Sequence, residues 1–80
     1  MESVKSRDLM RRDLGAAIER WREERGLSRN ELAALVGMTK PAICMIERGH
    51  RMPAIQRFDD FAKALNKERN DLWDAAYAEN

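Results

Sequence analysis

The sequence predicts an all-α fold, a compact bundle of five short helices, and three observations carry that expectation. Apolar residues recur at spacings of three to five positions along most of the chain, which is the period of one helix face and not the alternation of a strand. Glycine or proline falls between these stripes, at Gly26, Gly37, Gly49 and Pro53, where helices stop or start. The chain has 80 residues, enough for one small core and too few for two. A core of that size is marginal, so burial at a dimer interface would add to it.

The first stripe runs over residues 8 to 25 through Leu9, Leu14, Ala17, Ile18 and Trp21 and ends at Gly26. Gly15 lies inside it and costs about 1 kcal/mol relative to alanine. That cost predicts a helix starting near Arg12 or Asp13, with a frayed arm before it. The chain is accordingly divided into residues 1–12, a basic N-terminal arm or the start of helix 1, and residues 13–80, the folded domain. Ser28 followed by Glu31 is a capping box, in which each side chain satisfies an orphan backbone N–H at a helix start. Leu32, Leu35 and Val36 are its expected buried face, and Gly37 stops it. So short a helix cannot stand alone, because nucleation is costly.

Thr39 is the next N-cap and Pro41 sits in the first turn, where its missing N–H costs nothing. Ile43 and Ile46 point one way and Gly49 ends this third helix. Pro53 is expected to open a fourth, through Ile55, Phe58, Phe61, Ala62 and Leu65. After the polar break Asn66-Lys67-Glu68-Arg69, residues 70 to 78 form the last helix, with Leu72, Trp73, Ala76 and Tyr77. No strand signal, internal repeat or low-complexity linker is present.

Several function classes are disfavoured by what the sequence lacks. The single cysteine, Cys44, has no intramolecular partner, and no paired Cys/His spacing offers a zinc site. One histidine, one cysteine and no carboxylates clustered beside a nucleophile leave no catalytic constellation. The expectation is a protein that is not an enzyme, with no cofactor, no metal and no small-molecule ligand. A charged N-terminus without an apolar signal core, and no apolar run near the roughly 18 residues of a membrane span, predict a cytoplasmic protein with no membrane partner.

Net charge is only +1, a weak argument against a nucleic-acid partner. Its distribution says more. Residues 28 to 57 hold five basic side chains against two acidic, whereas residues 58 to 80 hold three against six. A basic centre beside an acidic tail suits a DNA-facing surface with a distal surface turned away, although scattered solvated charge gives the same sums.

The informative unit is residues 28 to 48, two capped short helices joined by Gly37-Met38-Thr39. A tight glycine turn between short helices is the geometry of a helix-turn-helix, and also of an ordinary helical corner. Around it stand I-E-R-W-R-E-E-R-G-L-S-R-N-E-L-A (18 to 33), G-M-T (37 to 39), I-C-M-I-E-R-G (43 to 49), Pro53 and A-K-A-L (62 to 65). On these residues the chain, from Leu14 to Leu72, resembles the lambda-repressor and Cro-like family, the xenobiotic-response-element family of helix-turn-helix domains.

The resemblance implies a five-helix lambda-repressor-like domain that binds double-stranded DNA, usually as a homodimer, and regulates transcription. It implies an ion pair between Arg22 and Glu47, two independent surface charges being the alternative. It places Arg29, Thr39, Arg48, His50 and Arg51 against DNA phosphates, His50 with the weakest case. It places Lys40, Pro41, Cys44 and Met45 at the base-reading positions, where this sequence departs from the usual polar set.

Three explanations of that departure compete. These side chains read thymine methyl groups by apolar contact; or DNA shape supplies the specificity; or the surface binds another protein. The last helix raises a second question, because Trp73 and Tyr77 share one of its faces. With Leu72 and Ala76 they form an expected dimerisation surface, the alternative being a cap on a small core. The leading expectation is a sequence-specific transcriptional regulator acting as a homodimer on a pseudo-palindromic operator. Such a protein would be a phage-type repressor or activator, or the small controller of a mobile element, and control of its own gene is one expectation for it. The alternative is an adaptor or antitoxin-like module that uses the fold to bind a protein partner.

Overall fold

The computed structural model describes residues 5–78. Five α-helices follow one another: α1 (Arg7–Glu24), α2 (Arg29–Val36), α3 (Lys40–Glu47), α4 (Phe58–Leu65) and α5 (Arg69–Tyr77). A 3-10 turn, Ile55–Arg57, leads into α4, and no strand occurs among the described residues. Within the same residues no helix is long and apolar enough to cross a membrane.

Helix α1 begins at Arg7, earlier than the expected start near Arg12 or Asp13. The Ser6 hydroxyl caps it by accepting from the Leu9 N–H at 3.1 Å, and Asp8 in the first turn complements the positive end of the helix dipole. Lys5 then fastens this extension to the opposite end of the chain. Its Nζ is 2.8 Å from the Asp13 carboxylate and donates to the carbonyls of Ala78 at 3.1 Å and Ala75 at 3.4 Å, closing the C-terminal end of α5.

Gly15, which reads as a weakness of α1, is where α1 crosses α3. A Cβ there would lie 2.2 Å from the Ile46 carbonyl oxygen and 2.9 Å from that of Glu47. The missing side chain therefore sets the distance between the two helices.

Leu14, Ile18, Leu32, Ile43, Ile46, Phe58, Phe61, Leu65 and Leu72 are fully buried and form the centre of the core. Three residues of the expected apolar stripes lie outside it, and the first, Leu9 of α1, is 44 % exposed. Leu35 is 57 % exposed, because the buried arc of α2 is centred on Leu32, Val36 and Ala33, and a residue one step short of a turn from Leu32 falls on its far edge. Ile55 is 54 % exposed. Pro53 is buried but does not open α4, since Ala54 is extended and the 3-10 turn intervenes. The apolar stripe of α4 therefore begins at Phe58.

Arginines close two further helix ends. Arg57 donates to the Val36 carbonyl at the end of α2, and Arg25 to the Ala64 carbonyl near the end of α4. No buried side-chain polar atom among the described residues lacks a hydrogen-bond partner, as a settled native core requires.

Candidate nucleic-acid interface

The turn between α2 and α3 is built from its glycine. Gly37 adopts φ 70° and ψ 36°, a left-handed conformation that glycine enters without steric cost. Its N–H reaches the Ala34 carbonyl, and the Met38 N–H reaches that of Ala33 at 2.8 Å, the double closure of a helix C-terminus. Two residues later α3 has started, with the Thr39 hydroxyl accepting from the Ala42 N–H at 3.3 Å and Pro41 in its first turn. The capping box that starts α2 has both arms: Ser28 N–H to Glu31 at 2.8 Å, and Glu31 N–H to the Ser28 hydroxyl at 3.0 Å.

This framework fixes the faces of α3. Ala42, Ile43, Ile46 and Glu47 are turned inward. Lys40, Pro41 and Met45 are exposed and Cys44 is half-buried. The outward face thus carries one cation at its start and a low-polarity surface behind it. Thr39 is exposed as well, and its hydroxyl hydrogen remains available to a phosphate while its oxygen caps the helix.

Beneath α3 lies a network of charges. Arg22 of α1 donates through Nε to Glu47 Oε2 at 2.7 Å and through Nη2 to Oε1 at 3.3 Å. Its Nη1 donates to the Leu27 carbonyl at 2.8 Å. One guanidinium thereby joins α1, α3 and the loop entering α2. The Glu47 side chain is only 1 % exposed, so this pair is buried and must be satisfied.

Arg29 belongs to the same network. Its Nε donates to Glu47 Oε1 at 2.8 Å and its Nη2 to Glu19 Oε2 at 3.0 Å. The hydrogen bond and charge of Glu47 hold its pKa above the ordinary arginine value. With 38 % of its side chain exposed, Arg29 is a cation anchored on one edge and open on the other. Sequence reasoning treated Arg29 as separate from the Arg22–Glu47 pair and missed Glu19. The available signal was its position three residues before Arg22, on the same side of α1.

At the other end of α3 the charges are arranged differently. Gly49 has φ 79°, and its N–H and that of His50 close the helix on the Ile46 and Met45 carbonyls at 3.0 and 2.9 Å. Arg48, His50 and Arg51 are all exposed. Among the described residues Arg48, Arg51 and Lys40 take part in no ion pair.

The expected dimerisation set is split by α5. Leu72 and Ala76 are both 0 % exposed and face the core of their own chain. Trp73, one residue on, is 41 % exposed and Tyr77 is half-buried. Their rings lie 4.6 Å apart between centroids, and Trp73 also meets Phe58 edge-on at 5.9 Å. The acidic side chains of this end are partly engaged locally. Asp59 accepts from Arg69 Nε and Nη2 at 2.8 and 2.7 Å, and Asp71 caps the Glu68 N–H at 2.9 Å. Among the described residues no group of three or more His, Cys, Asp or Glu side chains forms a metal cradle.

The helix-turn-helix family model matches residues 18–72. The chain belongs to that family. It is 32 % identical over 63 residues to the HTH-type transcriptional regulator y4dJ of Sinorhizobium fredii, covering 79 % of this chain and 82 % of that protein. Similar solved structures include the restriction-modification controller protein C.AhdI from Aeromonas hydrophila, with TM-score 0.78, 26 % identity, and 85 % of this chain and 99 % of that one covered. The biofilm-formation regulator SinR, solved in complex with DNA, has TM-score 0.70 and 32 % identity over 76 % of this chain and 98 % of its own. The five-helix architecture of this chain is therefore that of helix-turn-helix regulators.

Proposed function

We infer that this protein is a DNA-binding regulator of transcription, and that α3 is the helix it places in the major groove. The observation that carries the reading is the two-sided construction of α3. Its inner face is locked by Ile43, Ile46 and the buried Glu47, while Lys40, Pro41, Cys44 and Met45 stand outward on a rigid support. Membership of the helix-turn-helix family and the DNA complex of SinR support it. In this reading Lys40 donates to a guanine edge or a phosphate, and the apolar side chains behind it contact thymine methyl groups. Arg29, Thr39, Arg48, His50 and Arg51 hold the phosphates and set the register.

The finer proposal is a homodimer on a pseudo-palindromic operator, with recognition helices about one DNA turn, roughly 34 Å, apart. Trp73 and Tyr77 are the aromatic residues available to such an interface. A dimer acting in the cytoplasm on its own promoter would exclude polymerase and so repress itself. Footprinting on the DNA upstream of the protein's own gene tests this directly. A twofold-symmetric protected region is the expected result, and absence of protection there would remove autoregulation. DNA binding itself is tested by salt: neutralising about 6 to 8 phosphates per dimer gives a log–log slope of about −5 to −7. A slope near zero would leave the adaptor reading, in which the apolar face around Met45 docks a protein.

A further inference from the structure

Arg12 lies on the N-terminal extension of α1, outside the helix-turn-helix unit, yet it packs against the loop that follows α3. A Cβ on Gly49 would meet Arg12 Cγ at 2.8 Å, Cα at 3.0 Å and N at 3.2 Å. The absence of a side chain at Gly49 thus lets α1 rest directly on the loop bearing Arg48, His50 and Arg51. Farther along, Arg7 and Arg11 share a cleft of about 440 Å³ with Met52, so the first turns of α1 and the loop run side by side.

The charge balance of this segment is uneven. Asp13 is engaged by Lys5 at 2.8 Å, and Asp8, one turn before Arg12, is engaged by Arg11. Arg12 is exposed and, like Arg48 and Arg51, forms no ion pair among the described residues. The two carboxylates closest to it in the helix are thereby occupied. What remains is three arginines without an ion-pair partner among the described residues, on two elements that touch where Arg12 meets Gly49. The extension that carries Arg12 is held at its start, because Ser6 caps it and Lys5 clamps it to α5. A cation presented from a helix loses less freedom on binding than one on a frayed arm.

We propose that the N-terminal extension of α1 is part of the DNA interface, with Arg12 as a phosphate ligand continuous with Arg48 and Arg51. This rests on the DNA-binding reading above. The contact is independent of base sequence and adds a phosphate-neutralising charge beyond those of the helix-turn-helix and its loop.

The test is the salt dependence of binding to a mixed-sequence duplex, measured for the parent, Arg12→Gln and Arg12→Lys, with thermal melts of each. Glutamine keeps much of the stem over Gly49 and removes the charge. The expected result is a slope less steep by about 0.9 for each bound protomer in Arg12→Gln, recovered in Arg12→Lys, with unchanged melting. A slope equal to the parent's overturns the proposal. A shallower slope that lysine fails to restore, or that accompanies a lower melting temperature, marks Arg12 as a packing residue and also overturns it. If the parent itself shows no salt dependence, the DNA-binding reading fails and this inference with it.

Discussion

Two arginine clusters flank α3 and they differ in one respect, whether carboxylates accompany them. At the α1–α2 side, Arg22 and Arg29 close on Glu47 and Glu19 at 2.7 to 3.0 Å, and Glu47 is buried. At the C-terminal end, Arg48, Arg51 and Arg12 are exposed and have no acidic partner among the described residues. The first cluster sets the position of α3. The second is free to meet an anion. A net charge of +1 conceals this difference, since most of the acidic charge is either engaged with structural cations or gathered in the last two helices.

Removing the structural side of that comparison has the largest expected effect. Arg22→Ala leaves a buried carboxylate with Arg29 alone, and urea unfolding is expected to show a loss of about 3 kcal/mol. A loss below about 1 kcal/mol would mean that water reaches Glu47 and that the cluster is not structural. Gly15→Ala is next. Helix propensity alone predicts a gain of about 1 kcal/mol; contact with the Ile46 carbonyl predicts a net loss of about 2 kcal/mol instead. The sign of the change decides whether α1 and α3 touch as described.

The free cluster is expected to behave in the opposite way. Arg48→Gln should leave stability within about 0.5 kcal/mol of the parent while making DNA binding less salt-dependent. A clear drop in melting temperature would place Arg48 with the structural arginines.

The smallest effect belongs to the exposed pair at the distal end. Hydrogen bonding from Arg69 lowers the pKa of Asp59. A carboxylate whose folded pKa is depressed stabilises the fold above its unfolded pKa, and that contribution fades as pH falls through the folded value. Stability of the parent should therefore decline on acidification below the ordinary aspartate range, and Asp59→Asn should decline less. Because both partners are exposed, the difference is small and weakens further in salt. Equal acid profiles would show that the pair contributes nothing.

Element order and the caps of α2 and α3 were legible in the sequence because they depend on local chemistry, whereas the Ser6 cap of α1 and the Glu68–Asp71 box of α5 were equally local and were not read. Ser28 with Glu31, Thr39 with Pro41, and the glycines at 37 and 49 act within a few residues of themselves. What was not legible depends on contacts distant in sequence. Gly15 reads as a defect until the α3 backbone is brought against it. Lys5 reads as part of a solvated arm, yet its ammonium closes a helix 70 residues and more away. Arg29 reads as a single surface cation, although a residue from α1 and another from α3 hold it. Leu35 and Ile55 show the limit of periodicity in short elements, where one position decides which side of the buried arc a residue occupies. Leu72 and Ala76 lie in the core of their own chain, so in α5 too a shift of one position, from Leu72 to Trp73, separates a buried residue from an exposed one.

The division between anchored and free arginines is tested most directly by the salt dependence of DNA binding in the double variant Arg48→Gln/Arg51→Gln. Two lost phosphate contacts per protomer make the log–log slope less steep by about 1.8 for each protomer bound, with the melting temperature unchanged. An unaltered slope would contradict the account, because the exposed cations at the end of α3 would then not meet DNA.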